Sequence, residues 1–94
     1  MTTRFTHDDD ASRYSLTVDG AVVAVLDYRS NGSSISLNHT YTQPAHRGKG
    51  YAAQLVTYAI DDIEANSALR VVPMCWYVAD WFEANPDRAE LLTR

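Results

Sequence analysis

The sequence is short of several features that would place it in a common class of protein. It contains one cysteine, so it forms no internal disulfide, which fits a reducing compartment such as the cytoplasm. The longest aliphatic run, residues 21–26, is too short to cross a membrane, and the N-terminus lacks the apolar segment of a signal peptide. Basic residues number 8 against 12 acidic ones, and the net charge of -4 argues against a general nucleic-acid binder. We therefore expect a cytoplasmic protein whose partner is neither a membrane nor a nucleic acid.

The sequence does carry enough apolar character for one small folded domain. It has 94 residues, of which 46% are hydrophobic, and this is sufficient for a single modest core. No repeat, linker or low-complexity segment divides it, so residues 1–94 are expected to form one domain. The polar start of the chain includes the acidic run Asp8–Asp10, and we expect residues 1–12 to be poorly ordered.

The first half of the chain is patterned as an antiparallel meander. Three segments read as strands, namely residues 13–18, 21–28 and 34–41. Asp19-Gly20 is typical of a type I′ hairpin turn, and Asn31-Gly32 is a second turn signal. In the third strand, alternation predicts that four side chains share one side: Ile35, Leu37, His39 and Tyr41.

The second half predicts a helix, a strand and another helix. Residues 50–66 repeat apolar side chains at helical spacing, and residues 68–72 form a short apolar strand that Pro73 ends. The order strand–helix–strand implies a right-handed crossover to a parallel neighbour. Residues 76–84 are amphipathic and predict the second helix, and residues 87–92 are expected to add a last turn. The predicted fold class is α+β, a mixed sheet with two main helices.

A basic, glycine-containing loop separates the third strand from the first helix. Pro44 ends the strand, and Gly48 and Gly50 allow the backbone to turn tightly. The unpaired amides of a helix N-terminus attract anions, and Arg47 and Lys49 add positive charge to them. We interpret the loop as a pyrophosphate cradle. The alternative is a turn that only connects the strand to the helix. It stays open because neither common phosphate-loop motif, Gly-x-Gly-x-x-Gly or Gly-x-x-x-x-Gly-Lys-[Ser/Thr], is present.

The loop also carries a family resemblance. Arg47-x-x-Gly50-x-Ala52 resembles the acetyl-CoA-binding signature [Arg/Gln]-x-x-Gly-x-[Gly/Ala] of the GNAT acetyltransferase superfamily. The upstream stretch 37–41 and the downstream segment Pro73-Met74-Cys75-Trp76-Tyr77 are similar to its short, single-domain branch, which has a Pro-x-Cys-x-Tyr segment. The resemblance runs from about residue 14 to residue 86. It implies a GNAT-like fold and an acetyl-CoA-dependent N-acetyltransferase that acts on an amine.

The same resemblance implies where acetyl-CoA would lie, and it implies no metal. The thioester would sit in a gap between the strand 34–41 and the strand 68–72, which splay apart. The implied cofactor-binding residues are Thr40, Tyr41, Thr42, Arg47, Gly48, Lys49, Gly50, Tyr51 and Ala52. Larger GNAT enzymes insert helices between their first strands to shape the acceptor pocket, whereas Asp19-Gly20 joins those strands directly here. The acceptor amine, a small molecule or a protein, is therefore not identified.

Three residues near the implied thioester are candidate catalytic groups. Cys75 is the only thiol and is a candidate to accept the acetyl group, His39 carries an imidazole and is a candidate acid–base group, and Tyr77 is a candidate proton donor to the leaving sulfur. Structural roles stay open for each of them. Cys75 also fits a small buried hydrophobe, His39 a sheet histidine, and Tyr77 a core aromatic.

Two other functions compete with acetyl transfer. The first is a non-catalytic acyl-CoA-binding module or sensor, which the missing acceptor helices favour. The second is a scaffold that binds a protein through the aromatic residues between Trp76 and Phe82. Affinity for acetyl-CoA separates the scaffold from the other two, and turnover separates the enzyme from the module.

Overall fold

A five-stranded mixed sheet forms the centre of the protein, in the strand order β1-β2-β3-β4-β5. The computed structural model describes residues 2–94. Its strands are β1 (Thr3–Asp8), β2 (Arg13–Val18), β3 (Ala21–Ser30), β4 (Ser34–Thr42) and β5 (Arg70–Pro73). Its α-helices are α1 (Tyr51–Asn66) and α2 (Trp76–Ala84), and 3₁₀ helices span Pro44–His46 and Pro86–Leu92. The first four strands pair antiparallel and β5 pairs parallel to β4, which confirms the predicted α+β class.

Strand β1 is the element that the sequence pattern did not predict. It pairs with β2 from Thr3 to Asp8, so the expectation of a poorly ordered start is wrong for these residues, while Met1 lies outside the described residues. The pattern failed because β1 is an edge strand whose side chains are mostly exposed, and it shows no clear apolar alternation. Its contact with the helical layer is aromatic, since Phe5 stacks on Tyr58 of α1 at 4.8 Å between ring centroids.

The hydrophobic core lies on one face of the sheet. Leu16, Leu26 and Leu37 point from β2, β3 and β4 into this core and are all 0% exposed. Helix α1 packs on the same face, and α2 lies beside α1. The two helices are joined by a hydrogen bond that Trp81 Nε1 of α2 donates to Thr57 Oγ1 of α1 at 3.1 Å. Within residues 2–94 no helix covers the opposite face, and we call it the open face.

A polar cluster ties β1 to the C-terminal half of α1. The His7 ring stacks on Tyr14 at 4.1 Å and lies 3.4 Å (Nδ1 to Oδ2) from the Asp62 carboxylate. Tyr14 donates a hydrogen bond to the same carboxylate at 2.7 Å. Burial, followed by that carboxylate, raises the pKa of Tyr14, and burial together with Asp9 raises the pKa of Tyr28 to about 12. Both tyrosines therefore stay neutral hydrogen-bond donors at physiological pH.

The one-sided core gives a direct test of this architecture, because Val25 and Leu26 are neighbours on opposite faces of β3. Leu26→Ala should lower the free energy of unfolding by about 2–5 kcal/mol, since it empties a fully buried position. Val25→Ala, on the open face, should cost less than about 1 kcal/mol. Urea denaturation of both variants measures this difference, and equal losses would show that the open face is packed as tightly as the core.

Candidate active site

A bulge in β4 decides which way its side chains point. Asp27 of β3 pairs with His39, but Tyr28 pairs with Leu37, so Asn38 is an extra residue in β4. A one-residue shift exchanges the two faces of a strand. After the bulge, Thr40 continues on the helical side with Leu37, opposite Leu26. The prediction that Ile35, Leu37, His39 and Tyr41 share one side is therefore wrong, and His39 and Tyr41 lie on the open face.

The two parallel strands separate just beyond this bulge. Pairing between β4 and β5 ends at Leu37 and Pro73, whereas β4 continues to Thr42. The amides of Met74 and Cys75 both donate to the Leu37 carbonyl oxygen, at 3.1 and 3.0 Å, and the chain then turns into α2. Residues 38–42 of β4 consequently have no neighbouring strand on that side.

The loop after β4 is held at both ends by hydrogen bonds to the backbone. Gln43 Nε2 donates to the Val22 carbonyl oxygen at 2.5 Å, and Arg47 Nε donates to the Thr42 carbonyl oxygen at 3.0 Å. The Arg47 guanidinium also lies over the Tyr41 ring, 5.7 Å from its centroid. These contacts fix the course of the loop along the end of β4.

Two glycines then give the loop its turn into α1. Gly48 and Gly50 have φ of 80° and 79°, a region that residues with a Cβ rarely adopt. Gly50 is the N-cap of α1 and has no side chain to bond the first amides of the helix. An added Cβ at either glycine would meet no other protein atom within 4 Å, so the backbone here faces open space. An uncapped helix start with an approachable backbone is a favourable position for an anion.

The strand end, the loop and α2 together enclose a cleft of about 430 Å³. Its lining consists of Thr40, Tyr41, Thr42, His46, Arg47, Gly48, Gly50, Tyr51, Ala52 and Tyr77. Among the predicted cofactor-binding residues, Lys49 is the one that does not line the cleft. His46, which is not among the predicted site residues, also forms part of the wall. Its Nδ1 is buried without a hydrogen-bond partner among the described residues.

Cys75 lies next to the cleft and is held in a polar environment. Its Sγ is 3.5 Å from the Thr40 hydroxyl, and the residue is the N-cap of α2. Burial raises the pKa of the thiol, but hydrogen bonds from Thr40 and from the backbone amides of Tyr77 and Val78 outweigh burial and lower the pKa from its ordinary value. The thiol is therefore more acidic than an ordinary cysteine, which favours the nucleophilic thiolate.

The other two predicted catalytic residues lie in different places. Tyr77, in the first turn of α2, is 40% exposed and lines the cleft. His39 lies on the open face opposite Asp27, in a separate groove of about 340 Å³. Tyr77 and the Thr40 hydroxyl that contacts Cys75 both belong to the cleft wall, whereas His39, the neighbour of Thr40 in the strand, points to the opposite face.

Two features are absent from the described residues, a metal-binding cluster and a membrane-spanning helix. Among residues 2–94, no group of three or more His, Cys, Asp or Glu side chains is arranged to hold a metal ion. Neither of the α-helices in this range is long and apolar enough to span a membrane.

Comparison with known proteins points to one family. Residues 13–91 match the profile of the GCN5-related N-acetyl-transferase family. Protein NATD1 of Mus musculus is 33% identical over 85 residues, which cover 88% of this chain and 76% of that protein, and Protein NATD1 of Homo sapiens is 32% identical over 85 residues, which cover 88% and 74%.

Solved structures agree on the fold. The ribosomal-protein-alanine N-acetyltransferase from Brucella melitensis superposes with a TM-score of 0.60 at 26% identity, over 70% of this chain and 51% of that one. A GNAT-family acetyltransferase structure from Xanthomonas campestris gives a TM-score of 0.58 at 24% identity, over 82% and 56%. The chain thus spans about half the length of these solved structures. With the profile match over most of the sequence, the protein belongs to the GCN5-related N-acetyltransferase (GNAT) superfamily.

Proposed function

We propose that this protein transfers an acetyl group from acetyl-CoA to an amine, with the donor held in the cleft between the end of β4 and the start of α2. One observation carries the proposal: the free edge of β4, the uncapped start of α1 and the acidified thiol of Cys75 all meet around this cleft. Membership of the GNAT superfamily supports the same reaction.

The residues of the loop fit the pyrophosphate of coenzyme A. The start of α1 offers backbone amides and the positive end of the helix dipole, and Gly48 and Gly50 leave the space in front of them open. Arg47 adds a guanidinium to the cleft wall. Lys49 lies outside the lining, so in this proposal it acts through its charge alone.

The free edge of β4 fits the extended, amide-bearing arm of the donor. Residues 40–42 line the cleft, and β5 does not reach far enough to pair with them. An extended ligand takes the place of a missing strand by bonding to such an edge. The arm would run from the loop toward Thr40, which brings the thioester end to Cys75.

Bound acetyl-CoA supplies a thioester carbonyl as the electrophile. The Cys75 thiolate attacks that carbon, a new Sγ–C bond forms, and the bond from carbon to the coenzyme A sulfur breaks. In this proposal Tyr77, which lines the cleft, gives a proton to the departing sulfur. The amine then attacks acetyl-Cys75, an N–C bond forms, the Sγ–C bond breaks to restore the Cys75 thiolate, and the proton lost by the amine returns to Tyr77. His39 lies on the open face, so its proposed role is toward the acceptor and not toward the thiol.

One observation favours a second function, a non-catalytic acyl-CoA-binding module. No helix within residues 2–94 covers the open face beside the cleft, so the described chain does not enclose an acceptor pocket of its own. Such a module would bind acetyl-CoA in the same cleft and leave Cys75 unmodified.

Donor binding is tested by Gly50→Glu, with Gly32→Glu as a matched control. Both glycines have positive φ and open surroundings, so the two variants carry the same added charge and a similar backbone strain. Gly50→Glu should weaken acetyl-CoA binding by at least about tenfold, because the carboxylate would face the phosphates. Gly32→Glu should leave the affinity unchanged. Calorimetric titration measures both, and an equal effect of the two variants would exclude the loop as the phosphate site.

The environment of Cys75 predicts a specific pH dependence. Removing the hydroxyl in Thr40→Val should raise the pKa of the Cys75 thiol, since a hydrogen bond to the thiolate stabilises the charged form. Thr40→Ser keeps the hydroxyl and should behave like the unmodified protein. The rate of iodoacetamide alkylation as a function of pH measures the midpoint of the thiol titration in each variant. A midpoint that does not move in Thr40→Val would rule out this contact as the cause.

Covalent transfer predicts an acetylated cysteine. Incubation with acetyl-CoA and no amine should add one acetyl group to Cys75, detectable by peptide mass spectrometry after acid quenching. Cys75→Ala should bind acetyl-CoA with unchanged affinity and show no adduct. Binding without any adduct but with turnover of an added amine would establish direct transfer, and binding without either would establish the non-catalytic module.

A further inference from the structure

The open face carries an unexpected group of arginines. Residues that pair directly across neighbouring strands share a face. By this criterion Arg4 lies beside Thr17, Arg29 beside Ser36, and Arg70 beside Ser34, all on the side away from the core. Arg13 lies in the same layer, next to Asp27.

The charges of the protein are therefore divided between its two sides. On the open face these arginines outnumber the two carboxylates of Asp8 and Asp27. The helical side holds most of the acidic residues, namely Asp61, Asp62, Glu64, Asp80, Glu83, Asp87 and Glu90. A chain with a net charge of -4 thus presents one locally basic surface.

Most of these arginines have no side-chain partner among residues 2–94. Arg13 Nε donates to Asp27 Oδ1 at 2.6 Å, and that carboxylate raises the pKa of Arg13. Arg4, Arg29 and Arg70 are exposed, and their side chains form no hydrogen bond or ion pair with any of residues 2–94. A free guanidinium is suited to hold a carboxylate with two parallel hydrogen bonds.

One end of the open face carries apolar side chains. Val22 and Tyr41 are 44% and 43% exposed, and Val25, which pairs with Tyr41, lies with them in the groove that also contains His39. Arginines on the same surface as exposed apolar and aromatic side chains are typical of protein–protein interfaces. A nucleic acid fits less well, because it carries a phosphate at every nucleotide and would place some of them against Asp8 and Asp27, whereas a polypeptide can place uncharged residues there.

We propose that the open face binds an acidic segment of a partner polypeptide. Its glutamate or aspartate side chains pair with Arg4, Arg29 and Arg70, and its apolar side chains cover Val25 and Tyr41. Because Tyr41 lines both the groove and the cleft, the bound segment lies beside the cleft. This binding does not depend on acetyl transfer.

The probe for this surface is a fluorescein-labelled peptide of Glu-Glu-Leu repeats, about 12 residues long, which is enough to cross the face in extended form. Fluorescence anisotropy in low salt measures its affinity. Arg29→Gln combined with Arg70→Gln should weaken binding by at least about tenfold, since each lost guanidinium removes a charge-assisted contact. Both positions are exposed and unpartnered, so equal melting temperatures should show that the variant is folded.

The matched control is Ala65→Glu combined with Ala89→Glu. It changes the net charge by the same amount but places the change on exposed positions of the helical side, and Arg47 and Lys49 of the loop are untouched in both variants. The control should bind the peptide within about twofold of the unmodified protein. An equal loss in both variants, or no binding by the unmodified protein, would overturn the proposal. So would tighter binding of a single-stranded DNA of equal length, or self-association in sedimentation that the two arginine substitutions abolish.

Discussion

The early end of the pairing between β4 and β5 is the constraint on which the rest of the site depends. Parallel pairing stops at Leu37 and Pro73, and the Leu37 carbonyl oxygen then accepts the amides of both Met74 and Cys75. This double acceptance turns the chain out of the sheet and places Cys75 at the start of α2. The remainder of β4 keeps an unpaired edge, and that edge forms one wall of the cleft.

The bulge at Asn38 gives the two sides of β4 different roles. On the helical side it brings the Thr40 hydroxyl to the Cys75 thiol, where hydrogen bonds overcome the effect of burial on the thiol pKa. On the other side it moves His39 and Tyr41 onto the open face, among the arginines. One extra residue thus separates the cleft that we propose for the donor from the surface that we propose for a partner.

Much of the fold was readable from sequence, and the failures have physical causes. Turn dipeptides and helical spacing located β2, β3, β4 and both α-helices, because local backbone preferences and burial agree there. Strand β1 was not predicted, because an edge strand whose one packed side chain is a stacked phenylalanine shows no alternation of apolar and polar residues. The predicted side of β4 for His39 was wrong, because the bulge arises from the pairing of β4 with β3 and no local sequence signal indicates a bulge there.

The sequence by itself determined the elements other than β1, the loop motif and the family, since these depend on residue types at fixed spacings along the chain. The tertiary structure alone decided which side chains meet. It placed Thr40 against Cys75 across 35 positions of sequence, made His46 part of the cleft wall and left Lys49 out of it. It also gathered Arg4, Arg29 and Arg70 on one face, although they lie far apart in the chain. Such contacts follow from strand register, which the sum of packing and hydrogen bonding over the whole sheet sets and which no local stretch of sequence encodes.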